Sequence, residues 1–440
     1  MRAFKANFDK AMREKMKRLL SVAMAVILMF VVLPTSGFAI EQNGNEGKYV
    51  GKTVAVLGDS ISTYAGVSNN GAANTTIVNS AVCYWPGFNG VYLEDTWWQQ
   101  AADALGMRLL VNNSWSGSAM FNPRAGTVGA YVDRCVQMHN NITGEEPDVI
   151  WIYLGTNDFS EYLGGAISWG TVAETSTELI AENADGTYSY AQPKTYLEAY
   201  TIALHKMHCR YPQAEIYCLG MLRRSVISQT LTDSNNELKQ LVESLGYTYV
   251  DLESCIGPTI EDFRLSNGYD ELHPAPEGMD RISRKMISAM LGEETTTADI
   301  SYQMNNATML NAARLVLKDG AFSTRLIPHD GYDRVDITVT MGGKDITEIC
   351  CQKDGTVFIE KVTGDIVIAA EGKQIAHGDA DGNGEVDYLD AMLVLQYHTG
   401  IVEANALHLA VCDVNGSGEV DYLDAMVILQ YHTGVISEIF

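Results

Sequence analysis

The sequence predicts an α/β protein in three parts: a flavodoxin-like three-layer α/β/α domain over residues 48-292, a small β-sandwich over 299-371, and an α-helical segment with paired acidic loops over 376-440. Three observations carry this. Apolar runs alternate with helical patterns through the first part, which implies a parallel sheet covered on both faces. Past residue 297 the apolar runs shorten and alternate with polar residues, the pattern of half-buried strands. The last segment repeats one unit after 34 residues, and the two copies match at 17 of 22 positions.

Taken in order, residues 1-39 read as a cleavable secretory signal. A basic lead from Arg2 to Arg18 precedes the uncharged run Leu19–Leu33, and small residues at Gly37 and Ala39 suit cleavage. At about 15 residues the apolar run is shorter than the ~20 that a spanning helix needs. No later run is long enough to span a bilayer, so the mature chain is expected outside the cell.

Strands are predicted at Thr53–Leu57, Arg108–Val111, Val149–Leu154, Glu215–Leu219 and Tyr247–Leu252. Helices are predicted at Thr96–Leu105, Val128–Asn140, Thr195–Cys209, Asn235–Leu245 and Pro276–Leu291. A run such as Val149–Leu154 fits a strand buried on both sides. The polar stretch Gly292–Thr297 reads as a linker. After it, Arg334–Thr340, Val357–Val362 and Asp365–Ala370 are short strand candidates. The stretches Met341–Thr347 and Val362–Ile368 resemble small Ig-like modules appended to bacterial secreted enzymes, which implies a spacer more readily than a sugar-binding module.

Composition narrows the partners. The net charge of −25, from 55 acidic and 30 basic residues, repels phosphate backbones and argues against nucleic acid. The eight cysteines show no framework spacing and no Cys-x-x-Cys pair, so small buried residues are expected rather than a disulfide scaffold.

Four segments carry candidate chemistry. The first strand runs into Gly58-Asp59-Ser60, which places a serine at the carboxyl edge of a parallel sheet, where open α/β sheets put their sites. Just before the last helix of the domain lies Asp270-Glu-Leu-His273. A serine needs a base, and a histidine needs a carboxylate to hold its tautomer and stabilise its charge. Acyl transfer also requires donors aimed at the developing oxyanion. Asn157, in Gly155-Thr-Asn-Asp158 after the third strand, offers a neutral N–H donor. Gly117, in the loop after the second strand, offers a backbone N–H.

In this order the four segments resemble the SGNH or GDSL hydrolase family. The resemblance implies Ser60 as nucleophile, His273 as base and Asp270 as its orienter, with an oxyanion hole from the N–H groups of Ser60 and Gly117 and the side chain of Asn157. No catalytic cofactor is expected. Two departures are Ile61 after the serine, in place of leucine, and the loose block around Gly117. The aromatics Tyr84, Trp85, Phe88, Trp97, Trp98 and Trp115 lie near these segments. One of Trp97 and Trp98 is expected to face inward, and Trp85 and Trp115 are the best candidates to stack on a sugar ring. His139, His205 and His208 fall on predicted helices or their ends, without metal-ligand spacing.

In the repeat, oxygen side chains stand at loop positions 1, 3, 5, 9 and 12, with glycine at 6. The first loop offers Asp379, Asp381, Asn383, Asp387 and Asp390; the second offers Asp413, Asn415, Ser417, Asp421 and Asp424. This resembles the calcium loop of an EF-hand. Aspartate at position 12 and a single exit helix per loop resemble type I dockerins. That resemblance implies two structural calcium ions, a cohesin domain of a scaffoldin as partner, and cohesin contacts at Tyr388, Leu389, Tyr422 and Leu423. The second loop, with Ser417 at position 5, is expected to bind more weakly.

The expected function is a secreted serine esterase, an acetylxylan-esterase-like enzyme that removes acetyl groups from plant cell-wall polysaccharides within a cellulosome-type complex. An esterase or lipase on other acyl esters, and a non-catalytic component of the complex, remain as alternatives.

Overall fold

The computed structural model describes residues 47–67, 82–121, 128–176, 178–223, 228–255, 272–292, 295–329, 332, 334–374 and 376–439. The expected signal at 1-39 lies outside them. Five parallel strands, β1 (Thr53–Gly58), β2 (Arg108–Ser114), β3 (Val149–Tyr153), β6 (Glu215–Leu219) and β7 (Thr248–Val250), form a sheet in the order β2-β1-β3-β6-β7. Setting aside the hairpin β4–β5 (Ile180–Glu182 and Tyr188–Tyr190), that is the doubly wound order of flavodoxin-like folds. The order of succession across the sheet reverses at β1, which has β2 on one side and β3 on the other, and at such a switch point a ligand site is expected outside the carboxyl ends of the strands.

Both faces of the sheet are covered. Ala55, Leu57, Ile150 and Ile152 belong to the same core as Leu197, Tyr200 and Leu204 of α3 (Tyr196–Arg210) and Leu238 and Leu241 of α4 (Gln229–Ser244). On the other face, Trp97 of α1 (Trp97–Ala104) lies 5.6 Å from Trp151 and 6.0 Å from Tyr153, ring centre to ring centre. Helix α5 (Pro276–Leu291) packs on α1 and buries Met279, Ile282, Met286 and Ile287. Strands buried on both faces lack a polar side, which is why they read as unbroken apolar runs.

Three sequence expectations need correction here. Residues 128–140 are not an α-helix: only the 3-10 turn Arg134–Val136 forms. Carbonyl groups that would build a helix are taken by outside donors. Asn113 Nδ2 reaches the carbonyls of Arg134 (3.5 Å) and Gln137 (3.0 Å), and the Tyr211 hydroxyl reaches that of Val136 (2.6 Å). His139 is therefore not helical. Trp97 and Trp98 are both fully buried, because α1 lies between the sheet and α5 and has little outward face. Helix α4 begins at Gln229, capped by the Ser228 hydroxyl, which accepts from Leu231 N. A helix was also overlooked, α2 (Thr156–Leu163), directly after β3.

Past α5, two sheets face each other. One has the order β10-β8-β15-β12-β13, from Leu315–Leu317, Thr297–Asn305, Ile366–Lys373, Arg334–Met341 and Lys344–Asp345. The other is β14-β11-β9, from Thr356–Ile359, Phe322–Pro328 and Ala307–Met309. Ile300, Leu326, Val339, Val357 and Ile368 fill the space between them. A single helical turn, α6 (Thr347–Cys350), closes one end. Arg314 reaches back to the first domain, donating from Nε to Asp95 Oδ1 (2.9 Å) and from Nη2 to Glu94 Oε1 (3.4 Å). Arg284 of α5 donates to Thr297 Oγ1 and Asp299 Oδ1.

The repeat folds as two loop–helix units, with helices α7 (Tyr388–His398) and α8 (Tyr422–His432) packed together. Val394, Leu407, Cys412, Val414 and Ile428 form their small core. All eight cysteines are free thiols, and Cys135, Cys218, Cys350 and Cys412 are buried. No helix among the described residues is long and apolar enough to cross a membrane.

Candidate functional sites

At the end of β1 the chain turns sharply into the 3-10 turn Ser60–Ser62. Asp59 caps it, its Oδ1 accepting from Ile61 N at 3.0 Å. Gly58 makes the turn possible: a Cβ there would stand 2.5 Å from Ser62 Cβ and 2.7 Å from Ser114 Oγ. Trp97 Nε1 donates to Ser62 Oγ (3.2 Å), Asn112 Nδ2 to the Ser62 carbonyl (2.9 Å), and Thr63 Oγ1 to the Ser60 carbonyl (2.8 Å). The serine thus sits on a turn fixed from three sides.

Ser60 Oγ lies 2.8 Å from His273 Nε2, although 213 positions separate them in the chain. The short segment 84–89 steadies this histidine. Tyr84 OH donates to the Pro274 carbonyl at 2.9 Å, and Asn89 Nδ2 to the His273 carbonyl at 3.2 Å. The rings of Tyr84 and Phe88 stand edge-on to the imidazole at 6.1 and 6.5 Å. Asp270 lies outside the described residues.

Gly117 occupies the loop that follows β2, with φ +76°, a conformation that favours glycine. Trp115 N donates to the Gly58 carbonyl and Ser118 N to the Trp115 carbonyl, both at 3.2 Å. Asn157 stands in the first turn of α2, and its Nδ2 donates to the Ser118 carbonyl at 2.8 Å. The buried Asp158 accepts from Met120 N (2.8 Å) and Phe121 N (2.9 Å). Desolvation pushes its carboxyl up to about 6, against those two N–H groups. Ser60, Gly117 and Asn157 are therefore held on a 3-10 turn, a loop and a helix start that hydrogen bonds stitch together at one edge of the sheet. Two cavities, of about 510 and 430 Å³, lie elsewhere and include neither Ser60 nor His273.

Of the nearby aromatics, Trp85 is half exposed and lies 4.5 Å from Phe88. Trp115 carries the Arg134 guanidinium 4.7 Å from its ring centre. Tyr84, Trp97 and Trp98 are buried, so none of these three offers a free ring face. Sequence reasoning overlooked Arg134, Ser118 and Asn89; buried arginine in a misread helix left no signal.

The family described as GDSL-like Lipase/Acylhydrolase matches residues 52–290, more than half of the chain. The chain belongs to this family. The hydrolase domain is followed by a match to the type I dockerin domain over residues 377–431. Among solved structures, this hydrolase is similar to a protein described as a GDSL-like lipase from Bacteroides uniformis ATCC 8492, at 22% identity over 54% of this chain and 93% of that one, with a TM-score of 0.35. It is also similar to an acetylxylan esterase from Geobacillus stearothermophilus, at 16% identity over 56% and 96%, TM-score 0.35. A carbohydrate esterase of family 3 from Talaromyces cellulolyticus matches at 15% identity over 54% and 94%, TM-score 0.33. No curated protein matches the chain.

In the dockerin, the Asp379 carboxylate accepts from Asn383 N (3.1 Å) and Gly384 N (2.9 Å), while Asp390 accepts from Asp381 N (3.0 Å) and Asp387 N (2.8 Å). Each loop thus closes on its first and last carboxylates. The second loop repeats the plan, with Asp413 accepting from Ser417 N and Gly418 N, and Asp424 from Val414 N, Asn415 N and Asp421 N. Asp379, Asp381 and Asp390 bring oxygens within 4.8 Å of one another. Asp379, Asp390 and Asp424 are fully buried, and burying carboxylates is costly unless a cation accompanies them. This hard-oxygen donor set fits calcium. Tyr388, Leu389 and Leu395 on one unit, and Tyr422, Leu423 and Leu429 on the other, are exposed.

Proposed function

We propose that the protein is a secreted serine esterase that removes acetyl groups from plant cell-wall polysaccharides, xylan first, and is held in a cellulosome-type complex through its dockerin and a cohesin. The observation that carries the esterase reading is the 2.8 Å contact between Ser60 Oγ and His273 Nε2, within reach for proton transfer. His273 takes the serine proton as Oγ attacks the acyl carbonyl, with Asp270 orienting the imidazole. The oxyanion receives the N–H groups of Ser60 and Gly117 and the N–H of Asn157 not committed to Ser118. Collapse breaks the ester bond as His273 gives its proton to the leaving sugar oxygen; His273 then takes a proton from water, which attacks the acyl carbonyl, and returns it to Ser60 Oγ as the acid leaves. The exposed Trp85, backed by Phe88 next to His273, offers a face on which a sugar ring can stack.

Asp379, Asp381, Asn383, Asp387 and Asp390 would hold one calcium ion and Asp413, Asn415, Ser417, Asp421 and Asp424 the other, the ion supplying the charge that offsets the mutual repulsion of the loop carboxylates. Tyr388, Leu389, Tyr422 and Leu423 would meet the cohesin.

Two measurements test the reading. Ser60→Ala should lower kcat by roughly 10⁴–10⁶-fold; near-normal hydrolysis by that variant sinks the assignment. Acetate release from acetylated xylan, mannan and pectin should exceed acid release from a long-chain triglyceride emulsion. Preference for the emulsion would point to other acyl esters, and inactivity on all of them to a non-catalytic role.

A further inference from the structure

Beneath the reacting serine lies a charge that the proposed mechanism does not use. Arg134 is 3% exposed. Its Nη1 points at the Gly58 carbonyl (3.4 Å), and its Nη2 donates to Ser118 Oγ (3.1 Å). The Ser118 hydroxyl passes the contact on, donating to the same Gly58 carbonyl at 3.0 Å. The other face of the guanidinium lies against Trp115, whose own N–H also ends on Gly58. The Ser118 carbonyl, in turn, accepts from Asn157 Nδ2. One buried cation therefore touches, directly or through one residue, the turn of Ser60, the loop of Gly117 and the side chain of Asn157.

We infer that Arg134 is the positioning residue of the oxyanion hole, clamping its three donor segments and placing a fixed positive charge behind the developing oxyanion. This rests on the serine-esterase reading above. Burying a guanidinium is costly, and a fold that needed only packing here could use an apolar side chain. Burial lowers the group to about 10, partly offset by Asp59 and Asp158, so the cation persists at neutral pH. In a water-poor site a fixed charge acts on transition-state charge more strongly than in bulk solvent. Arg134 touches neither substrate nor reacting atoms; it acts through Gly58, Trp115 and Ser118. The donors matter most once charge has formed on the acyl oxygen, so its loss should fall on kcat rather than KM.

The test uses the full chain with p-nitrophenyl acetate. Functional sites are counted from the end-point amplitude of titration with diethyl p-nitrophenyl phosphate, so that misfolded protein drops out. Arg134→Met should lower kcat per titrated site by roughly 10–100-fold, with KM within about twofold, and Arg134→Lys should recover much of the loss. Asn157→Ala, which costs on the order of 10²–10³-fold in the parent, should cost about tenfold less in the Arg134→Met background, because its donor is already misaimed. Where Arg134→Met yields too few sites, Ser118→Ala cuts the relay and leaves the arginine in place; a drop of about tenfold in kcat is expected. An unchanged kcat per site in Arg134→Met, or in Ser118→Ala when that variant stands in, overturns the role of Arg134, as does full additivity with Asn157→Ala. Wild-type turnover by Ser60→Ala removes the esterase site itself, a different failure.

Discussion

At Gly58 and Gly117 two glycines near the same serine are glycine for different reasons. A methyl at Gly58 would collide with Ser62 Cβ at 2.5 Å, so Gly58→Ala must displace the turn that carries Ser60. At Gly117 nothing stands within 4 Å of a Cβ, but φ is +76°. There an alanine meets only backbone strain, about 1–2 kcal/mol. Thermal unfolding with ester kinetics separates them: Gly117→Ala should fold with a small fall in Tm, and Gly58→Ala should lose nearly all activity. Equal activity in the two variants would refute the distinction. Gly155 combines both constraints, with φ +144° and a Cβ position 2.9 Å from the Tyr196 hydroxyl. Short motifs single out Ser60, His273 and Asn157 in the sequence. No motif marks Arg134 or Asn89, whose contacts depend on where the folded chain brings them.

Among the elements, what was legible tracks how much each owes to its own residues. Helix α5 runs from Pro276 to Leu291, as read, with proline at its start and glycine after its end. The strands of the parallel sheet were also legible, since burial on both faces leaves unbroken apolar runs. The segment 128–140 was misread because its shape is dictated by Asn113 and Tyr211 from elsewhere. Tyr211→Phe should therefore loosen that segment: Val136 would lose its donor and Met138 N its acceptor (2.8 Å). Two lost hydrogen bonds of about 1 kcal/mol each predict a Tm several degrees lower, measurable by calorimetry. No change in Tm would show that other contacts shape the segment. Burial also raises the thiols of Cys135 and Cys218 to about 12, whereas Cys209 is exposed on α3. At pH 8 a disulfide reagent should label Cys209 first and reach Cys135 and Cys218 only on unfolding; early labelling of either would contradict their burial.

For the whole molecule, the proposed calcium sites divide the chain. Ions that bind the folded dockerin alone would stabilise it by roughly 2.7 kcal/mol at a hundredfold excess over Kd. Chelation should unfold residues 376-440 and leave the hydrolase active. Cys412 reports this directly, since it is fully buried in the dockerin core and its thiol is raised to about 12. Chelator should make it reactive while Cys218 stays protected, and a Cys412 indifferent to chelator would contradict calcium-dependent folding. The two faces proposed to meet cohesin repeat one another: Tyr388 lies 5.8 Å from His432, and Tyr422 5.6 Å from His398. Altering Tyr388 and Leu389 alone should barely weaken cohesin binding, and altering Tyr422 and Leu423 as well should abolish it. Abolition by the first pair alone would mean that a single orientation is used.

The contacts of Arg314 with Asp95 and Glu94, and of Arg284 with Asp299, would shape how the proposed polysaccharide esterase searches a solid. A hydrolase strung on a slack tether samples a sphere of surface around its anchor. Here Arg314 and Arg284 tie the sandwich to the hydrolase, and Arg334 Nη1, donating to the Gly382 carbonyl at 2.6 Å, ties it in turn to the first loop of the repeat. A docked molecule would then hold its site at a set reach from its anchor, and coverage of a fibre would come from neighbouring molecules on the scaffold rather than from the wandering of one.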